Sequence, residues 1–243
     1  MSIRSFSRNV LAIVVARGGS KRLPNKHTRM LLGKRVIDYT FEYALSAKLI
    51  TRVVLSTDDV QIAEEADNYQ IKTIMRPAKL ASDTSRVYES LIYTTDYLKT
   101  QEGYEPDYVL CLLGNCPVRP SGFPDPIIRE MIQQQCSCVQ PLFPVGKYHP
   151  DLMVKVNANS EIVPYTRKDI YRIIDTEPLY INDGGDWIYS MEGLSNCRIQ
   201  RTDWPKDSKG IILDKTDISV EIDDMEDFRY AKFILQNRSN TKC

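Results

Sequence analysis

Four cationic side chains crowd one short run, Ala16-Arg17-Gly18-Gly19-Ser20-Lys21-Arg22-Leu23-Pro24-Asn25-Lys26: they are Arg17, Lys21, Arg22 and Lys26. Cations at this spacing can hold several phosphate oxygens at once. Gly18 and Gly19 let backbone N–H groups approach an anion closely, and Ser20 adds a hydroxyl. The chemistry that suits such a loop is binding of a polyphosphate, most simply a nucleoside triphosphate. The run is not a P-loop, because no Gly-Lys-Ser/Thr follows the glycines, and it is not a G-x-G-x-x-G dinucleotide fingerprint. A solvated basic turn is the competing reading. Far along the chain, Glu221 and Asp223 stand two apart in a strand-like segment, so their carboxylates project from one face. Two such groups can hold Mg2+, a hard cation that takes oxygen ligands and phosphates. Asp223 also precedes a helix-like run with Glu226 three residues on, the pattern of a capping box. Both readings of Asp223 stand at this point.

The elements that must position these groups alternate. Continuous apolar or β-rich runs predict strands over 10–15, 52–57, 72–75, 107–113 and 137–143. Between them, apolar residues at helical spacing predict helices over 36–47, 58–69, 86–99 and 124–135, with Asp59 placed to cap the second. Alternation of this kind, with strands apolar on both faces, predicts an α/β fold: a Rossmann-like, mostly parallel sheet covered by helices. Ligands of such sheets sit outside the carboxyl ends of the strands, and the basic loop leaves the first strand at that end. Residues 144–186 contain four prolines and few periodic runs. We read them as an inserted excursion: a small subdomain, a lid or an oligomerisation arm. A return strand is expected over 186–190, a late strand over 218–222 and a final helix over 225–236. The whole chain, 1–243, is expected to form a single domain around that insertion.

Composition narrows the partners. Basic and acidic residues number 32 each, so no global field draws nucleic acid or an anionic membrane. No apolar stretch approaches the ~18–20 residues of a membrane span, and the start of the chain lacks a signal-peptide pattern. A cytoplasmic protein is the simplest expectation. The six cysteines, Cys111, Cys116, Cys136, Cys138, Cys197 and Cys243, include no C-x-x-C pair, and there are only two histidines. Buried, reduced thiols are expected rather than a zinc site or disulfides.

With these motifs in order, the chain resembles the acylneuraminate cytidylyltransferase family, the CMP–sialic acid synthetases and their relatives acting on other nonulosonates. The run 16–26 is similar to the family's nucleotide-binding signature. So, more weakly, are Val54-Leu55-Ser56-Thr57-Asp58 with Ile62-Ala63-Glu64-Glu65-Ala66, the segment Arg76–Thr84, Tyr148-His149-Pro150, and Ser219-Val220-Glu221-Ile222-Asp223. The resemblance implies a fold of the nucleotide-diphospho-sugar transferase type with the insertion as a dimerisation arm. It implies a homodimer. It also implies a reaction in which a sugar-acid hydroxyl attacks the α-phosphorus of CTP, with Mg2+, and pyrophosphate leaves.

Roles follow residue by residue. Arg17, Lys26 and Asp223 are the implied catalytic set. Ala16, Gly18, Gly19, Ser20 and Lys21 would cradle the triphosphate, while for Arg22 a solvated surface position is preferred. Arg76 and Ser82, with Asp83, would frame the base or ribose, or form an ordinary turn before the helix at 86. Arg119 would meet a sugar carboxylate bidentately, with Arg167, Arg172 and Asp186 as further substrate contacts. Trp187 reads as a core aromatic, and His149 as a packed or capping histidine. Glu221 and Asp223 are the implied Mg2+ ligands. Departures concentrate on the sugar side. Leu113-Gly114-Asn115-Cys116-Pro117-Val118-Arg119 replaces Gln-Pro-Thr-Ser-Pro-Leu-Arg, and Gly185-Asp186-Trp187-Ile188-Tyr189 replaces Asn-Gly-Ala-Ile-Tyr. His27 stands where the family has Asn, and Glu221 where it has Asp. Two rivals therefore remain in view: a transferase using a sugar 1-phosphate, and a nucleotide-sugar-binding protein without turnover.

Overall fold

The structure is a computed structural model and describes residues 8–120, 122–166, 170, 172–182, 185–214, 217 and 219–240. Strand β1 (Val10–Val15) is buried along its whole length. It runs parallel to β2 (Arg52–Thr57) on one side and to β4 (Tyr108–Leu113) on the other, and β3 (Lys72–Met75) continues the parallel set beyond β2. Successive side chains of a strand point to opposite faces. Val10, Ala12 and Val14 pack under α1 (Val36–Ser46), α2 (Val60–Asp67) and α4 (Asp125–Gln134), through Ile37, Phe41, Ile62, Ala66, Ile127 and Met131. Leu11, Ile13 and Val15 face α3 (Val87–Glu102) and α5 (Met191–Gln200), through Leu91, Leu98, Leu194 and Cys197. A strand coated on both faces has no room for polar side chains, which is why its sequence is an unbroken apolar run.

The other half of the sheet is mixed. Strand β5 (Cys138–Pro144) is not the next neighbour of β4. The return strand β7 (Asp186–Ser190) slots between them, antiparallel to both. Strand β6 (Tyr180–Asn182) pairs antiparallel with the end of β5, and β8 (Ser208–Ile212) lies parallel along it. The order is β6-β5-β7-β4-β1-β2-β3, with β8 on β5. Strand β8 escapes a reading by periodicity because it is short, mostly exposed and interrupted by Gly210. A Cβ at Gly210 would lie 2.3 Å from the Leu142 Cδ1, so any larger residue there would have to displace that side chain. The late strand expected over 218–222 reduces to one antiparallel bridge, Val220 to Val118, with residue 218 outside the described set. Within the expected excursion of 144–186, Val154–Val156 and Ile162–Pro164 form a separate antiparallel hairpin, while Tyr180–Asn182 are back in the sheet as β6 and Asp186 opens β7. The final helix, α6 (Met225–Asn240), closes a third apolar cluster in which Ala231 meets Leu23, Leu31, Val118, Val220 and Ile222.

Candidate active site

The carboxyl ends of β1, β2, β3 and β4 all open on one edge of the sheet, and the loops leaving them enclose a cleft of about 250 Å3. The basic loop is moored at both ends. Its entry is tied by Ala16 N–H to Ser56 O at 3.2 Å and by the Arg76 guanidinium to Ala16 O at 3.1 Å. Its middle is pinned by Leu23, buried in the α6 cluster. Gly18 is there for close packing: a Cβ would fall 2.2 Å from an Asp59 carboxylate oxygen, whereas at Gly19 the space is open. Asp59 cannot move away, because it caps α2 by accepting from Gln61 and Ile62 N–H.

Folding Leu23 onto α6 carries the loop's cations to two carboxylates. Arg22 and Lys26 reach the two oxygens of Asp223, at 2.5 and 2.9 Å. Arg17 and Lys21 reach the two oxygens of Asp83, at 3.1 and 2.5 Å. Lys26 is largely buried, with 12% of its side chain exposed. Burial by itself would raise the Asp223 pKa, but Lys26 and Arg22 outweigh it and hold this carboxyl below its usual value. Glu221 is the opposite case. Burial pushes its pKa up and the charge of Asp223 adds to that, against a hydrogen bond from Asn115 Nδ2 to its Oε1 at 3.1 Å. The same Asn115 amide donates to Ile222 O at 2.9 Å, and Ile222 N–H donates to Asn115 O at 2.8 Å. The acidic segment is thereby clamped to the end of β4. Asp223 is not the helix cap that the sequence allowed. Asp224 accepts from the N–H groups of Glu226 and Asp227, and Asp227 answers by accepting from those of Asp223 and Asp224. The cap sits one residue later, so the Asp223 side chain is left to the cleft.

A cleft lined by cations and two acids, at the switch edge of a nucleotide-type sheet, is built for phosphoryl chemistry. Residues 11–175, more than half the chain, match the sequence profile of a family described as cytidylyltransferase. The chain belongs to the cytidylyltransferase family. A pseudaminic acid cytidylyltransferase of Campylobacter jejuni is 27% identical over 228 residues, covering 92% of this chain and 95% of the relative. A CMP-N,N'-diacetyllegionaminic acid synthase of Legionella pneumophila is 26% identical over 234 residues, covering 93% and 96%. Among solved structures, CMP:2-keto-3-deoxy-manno-octonic acid synthetase complexed with CTP superposes with a TM-score of 0.70 at 16% identity, covering 95% of this chain and 99% of that one. That likeness establishes the nucleotide-diphospho-sugar transferase fold.

In this cytidylyltransferase the sequence-derived site residues divide. Arg17, Lys26, Arg76, Ser82, Glu221 and Asp223 line the cleft. Arg76 does so from within: its guanidinium donates to Ser90 Oγ and Ala16 O, with Asp58 at 3.7 Å, and it serves to hold the loop. Asp58 in turn accepts from Gly18 N–H at 3.3 Å. Ser82 belongs to a turn of hydroxyls with Thr84 and Ser85. The Ser20 hydroxyl is buried, with no hydrogen-bond partner among the described residues.

Arg119 and Asp186 lie elsewhere. They pair with each other at 2.7 Å, both buried, and Arg119 gives three of its other four N–H donors to Thr40 Oγ1 and the carbonyls of Cys116 and Leu113. The expected bidentate grip on a substrate carboxylate has no free fork to make it. Arg172 is exposed and bound to Asp175 through two 2.8 Å contacts. Arg167 lies outside the described residues. Trp187 is a core aromatic that donates to Asn182, and His149 is buried and accepts from Asp151 N–H. The five described cysteines are buried free thiols.

The donor chemistry fits Mg2+. Glu221 and Asp223 place carboxylate oxygens, the hard donors such an ion takes, on one wall of the cleft, where Arg22 and Lys26 engage those of Asp223 and Asn115 one of Glu221. Among the described residues no group of three or more His, Cys, Asp and Glu could hold a metal. Two carboxylates with the rest left to water and phosphate is the pattern magnesium takes.

His27, which stands where the family has asparagine, lines the cleft and is 4% exposed. Burial, with Lys26 beside it and Arg76 and Arg17 nearby, depresses its pKa to about 3, against an opposing hydrogen bond with the Gly114 backbone. The folded protein therefore keeps a neutral imidazole, while the unfolded chain protonates near 6.5. Above pH 6.5 this costs nothing. Below it, stability falls as pH falls, by about 1.4 kcal/mol per pH unit until pH nears 3. Urea unfolding at pH 6.5 and pH 5 should show wild type losing roughly 2 kcal/mol more than His27→Asn over that interval. Parallel losses in the two proteins would refute the assignment.

Proposed function

We propose that this cytidylyltransferase activates a nonulosonate-type sugar acid with CTP, giving a CMP-sugar and pyrophosphate, with Mg2+ as cofactor. The observation that carries this reading is the cleft itself: Arg17 and Lys26 from the basic loop and the clustered acids Glu221 and Asp223 line it at the carboxyl edge of the sheet, with Lys21 and Arg22 paired to Asp83 and Asp223 beside it. Near full-length similarity to proteins named for pseudaminic and legionaminic acid supports the acceptor class. A hydroxyl of the sugar acid attacks the α-phosphorus, the bond to the bridging oxygen breaks, and that oxygen leaves as pyrophosphate. The hydroxyl proton passes to solvent or product. Arg17 and Lys21 bind the outer phosphates, and the N–H group of Gly19 orients them. Lys26 neutralises the charge that grows on the leaving oxygen. Bound Mg2+, held by Glu221 and Asp223, would supply charge neutralisation at the phosphate oxygens.

The 144–186 segment carries apolar side chains outward: Val156 and Ile162 of the hairpin, Ile174, and Ile181 of β6 are each at least 60% exposed. Exposed apolar side chains concentrated in this segment support a homodimer through the 144–186 arm. No helix among the described residues is long and apolar enough to cross a membrane. Buried free thiols support a cytoplasmic setting.

Pyrophosphate release measured with each of the four nucleoside triphosphates, against a panel of sugar acids and sugar 1-phosphates, tests the reading. Release is expected with CTP and a sugar acid, and is expected to cease in excess chelator. Preference for a purine nucleotide or a sugar 1-phosphate overturns the donor or acceptor assignment. Binding without release under every condition overturns turnover.

A further inference from the structure

We propose that Asp83 is an intramolecular competitor for the phosphate-binding cations, admitting only ligands with enough charge to take Arg17 and Lys21 from it. This rests on the phosphate-binding reading of the 16–26 loop. The Asp83 carboxylate spans the mouth of the cleft from the wall opposite that loop, more than 60 positions away in sequence. Each of its oxygens engages one cation, Arg17 at 3.1 Å and Lys21 at 2.5 Å, much as two oxygens of one phosphate would. Arg17 is further drawn to the same wall by Ala81 O at 3.4 Å.

The competitor is presented by a built turn. Ser85 Oγ donates to Lys79 O at 2.7 Å, lies 2.7 Å from Ser82 Oγ, and accepts from Ser82 N–H at 3.2 Å. The Asp83 carboxylate takes no part in that network. Among the described residues it bonds only the two cations, and half of its side chain is exposed. It can therefore swing into water without leaving a buried charge behind. Asp223 differs, because its contact with Lys26 lies inside the cleft wall. Of the two carboxylates on the loop, only Asp83 is readily displaced. The selection this provides suits an enzyme with two anionic substrates. A sugar acid brings one carboxylate, which merely replaces the contacts Asp83 already makes. A triphosphate brings several charged groups and wins the exchange.

Two exposed pairs to one carboxylate amount to roughly a three- to tenfold handicap on ligand affinity. Calorimetric titration with magnesium pyrophosphate at low ionic strength should show Asp83→Asn binding tighter than wild type by that factor, and Asp83→Glu binding like wild type. The gap should narrow at high salt, which screens exposed pairs. Equal or weaker binding by Asp83→Asn overturns the competitor role while leaving the phosphate site intact. No pyrophosphate binding by wild type or either variant sinks the phosphate-site reading itself.

Discussion

Replacing Lys26 with alanine should lower kcat by about 10²–10³-fold, equivalent to about 3–4 kcal/mol of barrier, while the protein remains folded. The size follows from position. Lys26 is largely withdrawn from water and is aimed by a 2.9 Å contact with Asp223. A charge held in place before the reaction stabilises developing negative charge without reorganisation, and does so more strongly than a solvated lysine could. The variant should also carry a second signature. Lys26 is the leading partner that offsets burial at Asp223, so without it this carboxyl rises from its depressed value. The acid limb of the kcat profile should then move to higher pH, because the ionised form of Asp223 is lost earlier as pH falls. Steady-state kinetics across pH, with a melting curve as the control for folding, would check both effects. Wild-type turnover in Lys26→Ala would remove this residue from the chemistry.

The largest effect on stability is expected at Arg119, well away from the reacting atoms. Arg119→Ala should destabilise the protein by about 3–5 kcal/mol in urea unfolding at pH 7. The guanidinium is buried, lies 4.8 Å from the Tyr43 ring centre, and ties the β4 exit to β7 through Leu113 O and Asp186. Removing it leaves Asp186, 1% exposed, with the Tyr43 hydroxyl at 2.5 Å but no counter-charge among the described residues. Most of the cost is that stranded charge rather than the lost attraction, so Arg119→Met combined with Asp186→Leu should lose less than the two single changes summed. A loss below about 1 kcal/mol for Arg119→Ala would mean that water reaches the pair, and that Arg119 is available to a ligand after all.

How much of this was legible beforehand depended on the range of the interactions involved. The expected strands at 10–15, 52–57 and 72–75 coincide with β1, β2 and β3. Their signal is local: β1, covered by helices on both faces, is apolar in succession, and β2 and β3 are short β-rich runs between helical stretches. The Asp59 cap is equally local, since its partners are two and three residues on. The capping box near 223 was misplaced by one residue because Asp223 and Asp224 are both eligible caps. Only the salt bridges of Arg22 and Lys26, 201 and 197 positions away, claim Asp223 for the cleft. Asn115 has no role in the sequence reading, and Asp83 only that of framing the base or ribose or of an ordinary turn, for the same reason. An amide that clamps a distant acid and an aspartate that bridges two distant cations look like ordinary loop residues in the sequence.

The sequence by itself determined that an apolar parallel strand ends in a cationic, glycine-bearing turn, a loop suited to a polyphosphate. It also carried the resemblance that the family match and near full-length relatives support. Tertiary structure alone decided which cation meets which carboxylate, that β7 enters the sheet between β4 and β5, and that Arg119 is sealed against Asp186 rather than offered to a sugar. The physical reason is separation along the chain. Periodicity and capping act over a few residues and leave their mark in composition. Charge pairing in a folded protein is settled by whichever distant segments the core brings within about 3 Å of one another.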